Sequence, residues 1–96
     1  MIPRASVTWF AAEMERQLAE NDWKGGWEHC SLWELYQRLL EEAGELAGVL
    51  SGYSNGSVID EAADVANYAM MIADILHTRN SARVDEQFPE GPGPAQ

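Results

Sequence analysis

Two helical runs separated by a five-residue turn leave a chain few ways to fold. Leu32, Leu35, Leu39, Ala43, Leu46 and Leu50 recur at helical spacing as one continuous apolar stripe, ending about Ser51. Gly52-Tyr53-Ser54-Asn55-Gly56 is a turn by composition, and a second apolar run starts at Val58. So short a connection folds one helix back on the other, so an antiparallel hairpin is expected. Ser31 with Glu34 has the form of a capping box, and Ser57 with Asp60 behind it can cap the next helix. That helix is expected to run to about His77 or a turn beyond, where the pattern decays.

Ahead of the hairpin, Met1 to Ala5 reads as a lead-in and Ser6 as a helix cap. Val7, Phe10, Ala11, Met14 and Leu18 then follow at helical spacing, fading near Asn21 and Asp22. With no internal repeat and no strand-like alternation, the expected fold class is all-α. The helical domain is expected over residues 1–84 and a flexible Pro/Gly-rich tail over residues 85–96. Besides Glu61 and Asp64, the third helix carries only Asp60, Asn67 and Asp74 as polar residues before His77, on one narrow strip. A helix so apolar should be buried on most sides. Three short helices cannot do that within one chain, so the bundle is expected to be completed by oligomerisation, as a homodimer or homotetramer. Tyr68, Met70 and Met71 are expected at that interface or lining a pocket.

Charge narrows the partners. Sixteen acidic residues against six basic ones give a formal charge of -10. Such a surface repels a nucleic-acid polymer, and suits cations or an anion that arrives with a metal bound. Cys30 is the only cysteine, so no intrachain disulfide can form, and it reads as a partly buried residue before a helix. With no signal-like start, a cytoplasmic location is expected. No run approaches the ~20 apolar residues that cross a bilayer, so no membrane partner is expected.

The acids on the hairpin are not scattered. At about 100° per residue, with Leu35 at zero, the apolar stripe of the first arm spans about 0° to 80°. Glu42 falls near about -20°, Glu45 near about -80° and Glu41 near about -120°. On the second arm, with Val58 at zero, Glu61 falls near about -60° and Asp64 near about -120°. Each arm therefore carries one carboxylate at the edge of its buried stripe and one beside it, and an antiparallel hairpin brings both pairs to one point. Converging carboxylates raise one another's pKa, and a divalent cation relieves this. All-oxygen ligation selects a hard ion, Mg²⁺ or alternatively Mn²⁺. No histidine follows these acids at the Glu-x-x-His spacing of di-iron bundles, which argues against redox chemistry.

The segment Trp23-Lys24-Gly25-Gly26-Trp27 has two readings. The tryptophans can cover helix ends, or form an aromatic wall for a base with Lys24 reaching a phosphate. Lys24 favours the second, because cations are scarce in this chain. His29 reads as a capping or hydrogen-bonding residue.

Glu41-Glu42-x-x-Glu45 followed by Glu61-x-x-Asp64 resembles the signature of the MazG-like all-α nucleoside triphosphate pyrophosphohydrolases. The resemblance spans roughly Phe10 to Asp74, with Asn21-x-x-Lys24-x-x-Trp27 and the run Ala66-Asn67-Tyr68-Ala69-Met70-Met71. It implies Mg²⁺-dependent cleavage of a nucleoside triphosphate between its α- and β-phosphates, giving a monophosphate and pyrophosphate. It also implies Glu42, Glu45, Glu61 and Asp64 as metal ligands, and Glu41 with Glu42 as the catalytic acids, Glu41 orienting water. Lys24, Trp27, Asn67 and Tyr68 would bind substrate. The competing expectation is a non-catalytic helical oligomer, a scaffold or regulatory partner that keeps an acidic face.

Overall fold

The computed structural model describes residues 1–21 and 25–87, with side chains through residue 81. Three helices build it: α1 (Ala5–Glu20), α2 (Leu32–Leu50) and α3 (Val58–Gln87). Among the described residues there is no strand, as expected of an all-α chain. Residues 88–96, where the tail was expected, lie outside the described residues, as do Trp23 and Lys24.

Local chemistry sets the helix ends. Ser31 Oγ accepts from the Glu34 amide at 3.3 Å, and Ser57 Oγ from the Asp60 amide at 3.1 Å, so both caps form as the sequence indicates. α2 stops in a Schellman motif: the Tyr53 amide bonds the Gly48 carbonyl at 2.9 Å and the Gly52 amide bonds that of Val49 at 3.2 Å. Gly52 holds φ 84° there, where a side chain would be strained.

Two boundaries differ from expectation. α1 starts ahead of Ser6, with Arg4 at the N-cap position and no side-chain cap, because extended Arg4 after Pro3 already turns the chain into the helix. α3 runs to Gln87, taking in residues 85–87 where the tail was expected to begin. Its apolar pattern ends near Leu76, but no glycine or proline interrupts the backbone before Pro89, so the helix continues.

α3 is the central element: α1 and α2 both lie against it rather than against each other. On the α2 side the contact is apolar, with Leu35, Met71 and Ile75 buried and Leu18, Trp27 and Cys30 packed around them. Met71 therefore belongs to the chain's own core, not to a subunit interface. On the α1 side, apart from Leu18, the contact is polar. Asp60 pairs with Arg16, Asn67 Nδ2 donates to the Met14 carbonyl at 3.1 Å, and Asp74 accepts from the Trp27 indole at 3.1 Å. The narrow polar strip of α3 is thus the seam that holds α1 and the glycine loop. Only the C-terminal half of α1 is drawn in, and Gln17 is buried while Val7 and Ala11 stay exposed.

Met71 is 1% exposed at the centre of this core. Met71→Ala is expected to cost about 2–5 kcal/mol, read by urea denaturation at one fixed protein concentration. A loss below about 0.5 kcal/mol would show that this core does not carry the fold.

Candidate functional site

The antiparallel hairpin sets Leu35 beside Met71, Arg38 beside Tyr68, and Glu42 beside Glu61 and Asp64. The last three are half-buried and each offers a carboxylate oxygen within 4.8 Å of the others'. Two of them come from one turn of α3 and the third from α2, so the hairpin packing makes the cluster. Glu45 is exposed and stands outside this group, although its charge acts on Glu42. Glu41 points outward as its angle indicates, with Oε1 3.9 Å from Arg38.

The electrostatics are those of a crowded acid site. The Glu42 carboxyl is pushed up to about 7, first by partial burial, then by its hydrogen bond to Glu61 and by the charges of Asp64, Glu61 and Glu45. Burial, then Glu61, Asp60 and Glu20, raise Asp64. Glu61 Oε1 is buried without a hydrogen-bond partner. A hard cation fits this donor set: three carboxylate groups on two helices, with Glu61 Oε1 lacking a hydrogen-bond partner.

A cavity of about 430 Å³ is lined by Asn21, Cys30, Glu34, Leu35, Arg38 and Tyr68; none of the three acids lines it, but Arg38 and Tyr68 stand one helical turn from Glu42 and Asp64. Tyr68 joins the two features: burial raises its hydroxyl, Arg38 opposes that, and Glu42, Asp64 and Glu41 add to it. The other residues expected to bind substrate are placed differently. Trp27 is half-buried on the core and bonded to Asp74, and Asn67, 3% exposed, is bonded to Met14; neither lines the cavity. Lys24 lies outside the described residues. Sequence reasoning missed Arg38, which shares a helix face with Glu42 four residues on; that spacing was the available signal.

No protein-family model, no curated protein and no solved structure matches this chain.

The raised Glu42 makes a signed prediction. Its folded-state pKa exceeds its ordinary 4.5, so the folded protein holds an extra proton between there and about 7. That stabilisation is full below the lower value and lost as pH rises through the upper one. With a chelator present, Tm should fall from about pH 5 to about pH 8, and Glu42→Gln should flatten part of that fall. Mg²⁺ should restore Tm most at the higher pH. An equal Tm with Mg²⁺ and with chelator at the higher pH would remove the case for a cation here.

Proposed function

We propose that this chain is a metal-dependent nucleoside triphosphate pyrophosphohydrolase of MazG-like type, cleaving an NTP or dNTP to the monophosphate and pyrophosphate. The observation that carries the reading is the meeting of Glu42, Glu61 and Asp64 oxygens within 4.8 Å, one helical turn from two residues, Arg38 and Tyr68, that line a cavity of about 430 Å³. Glu42, Glu61 and Asp64 would hold Mg²⁺ or Mn²⁺; Glu45, the fourth ligand that the resemblance implies, is exposed and outside that cluster. The ion, when bound, supplies charge neutralisation at the phosphate oxygens. Glu41, exposed and turned towards Arg38, would orient the attacking water, as the resemblance implies. Tyr68, which lines the cavity, would position the substrate. A protein of charge -10 needs such neutralisation to accept a polyanion at all.

Self-association belongs to the same proposal. Trp33, Tyr36 and Leu40 form an exposed apolar stripe on α2, with Trp33 76% exposed. On α1, Val7, Trp9, Phe10 and Met14 line an open apolar groove of about 440 Å³. Apolar surface of this kind on so small a chain supports the reading of a subunit interface. The expected assembly is a homodimer or homotetramer. Light scattering at micromolar concentration should give a mass of two or four chains, and a clean monomer would remove this part of the proposal.

The activity test is incubation with a panel of NTPs and dNTPs plus Mg²⁺, measuring pyrophosphate release. At least one nucleotide should be hydrolysed, and Glu42→Gln or Asp64→Asn should lower turnover by about a hundredfold or more with the helical content unchanged. No release from any nucleotide, at high protein concentration, would leave the rival: a helical oligomer acting as scaffold or regulatory partner.

A further inference from the structure

We propose that Arg38 is a substrate-binding residue: it holds the phosphate group next to the metal-bound one and fixes the direction in which the substrate lies. This rests on reading the acid cluster as a metal–phosphate site, and it assigns the neighbouring cavity to the same ligand.

The hairpin register carries the argument. Arg38 and Glu42 are one turn apart on α2, Asp64 and Tyr68 one turn apart on α3, and the two pairs face each other. One turn is about 6 Å along the axis, within reach of an extended polyphosphate chain. Among the described residues lining the cavity, Arg38 is the only cation. Its guanidinium stays adaptable, 61% exposed, and its pairing with Glu41 at 3.9 Å is too long for a hydrogen bond. It therefore keeps donors for a planar, bidentate grip on phosphate, for which guanidinium is suited.

Charge order along α2 then orients the ligand. Glu34, Arg38 and Glu42 follow one another at successive turns, negative, positive, negative, and Glu34 and Arg38 both line the cavity. A cation at Glu42 turns that end attractive to phosphate, while Glu34 repels it at the other. The phosphates therefore lie along Glu42 and Arg38, and the uncharged end of the substrate lies towards Glu34, Leu35, Cys30 and Asn21.

Inorganic pyrophosphate with Mg²⁺ is the probe, titrated calorimetrically into wild type, Arg38→Ala and Arg38→Lys, each checked for unchanged helicity. Arg38→Ala should bind about tenfold or more weakly, and Arg38→Lys should recover part of the loss. Mg²⁺ titrated alone should bind all three within about threefold. Where a nucleotide is hydrolysed, Arg38→Ala should raise KM far more than it lowers kcat. Pyrophosphate binding within about twofold of wild type in Arg38→Ala, or none by wild type, overturns the assignment. If no nucleotide is cleaved but pyrophosphate binding still depends on Arg38, the hydrolase reading falls and the anion site stands.

Discussion

The structure hangs on a seam of three polar residues along α3. Asp60, Asn67 and Asp74 recur every seven residues, two helical turns apart, so they line up on one side of the helix. Each takes a partner from the N-terminal third of the chain: the Arg16 guanidinium, the Met14 carbonyl and the Trp27 indole. Of these, Asn67 matters most. It is 3% exposed; its nitrogen donates to the Met14 carbonyl, while its Oδ1 is buried without a hydrogen-bond partner, so the amide is only half satisfied. The seam fixes where α1 lies and brings Trp27 and Cys30 down onto the apolar core. Gly25 and Gly26, at φ 81° and 77°, give the loop the turn it needs to do so.

With one side of α3 committed to α1, the side facing α2 is left to carry both the core and the acids. Toward the start of α2, Leu35 meets Met71 and Ile75; one to two turns on, the same interface holds Glu42 against Glu61 and Asp64. The two halves act in opposition. Apolar burial pulls the hairpin together, while the half-buried carboxylates oppose it; burial first, then the neighbouring acids, pushes Glu42 up to about 7. A proton on Glu42 relieves the conflict, so stability is linked to pH at this spot. Arg16 eases the same pressure from the other flank by pairing with Glu13, Glu20 and Asp60, the last two of which act on Asp64.

Much of this was legible before any coordinates. The number of helices, the five-residue turn, the caps at Ser31 and Ser57 and the outward stance of Glu41 depend on residues close in sequence, where 3.6-residue geometry suffices. The convergence of Glu42 with Glu61 and Asp64 followed from two helix angles and one short turn. The end of α3 was harder to place, because past Leu76 no apolar period marks it. Glu45 was expected among the convergent acids and stands just outside them: angles on one helix do not state how far the partner helix reaches.

What the sequence determined by itself, then, is local: three helices, a hairpin, and the side on which each carboxylate leaves its helix. The tertiary structure alone decided which side of α3 receives α1, and so turned Asn67 and Trp27 into anchors of the fold. It also set Arg38 against Tyr68 at the mouth of a cavity. Those outcomes join residues about thirty to fifty positions apart, and helical periodicity carries no information about partners at that separation.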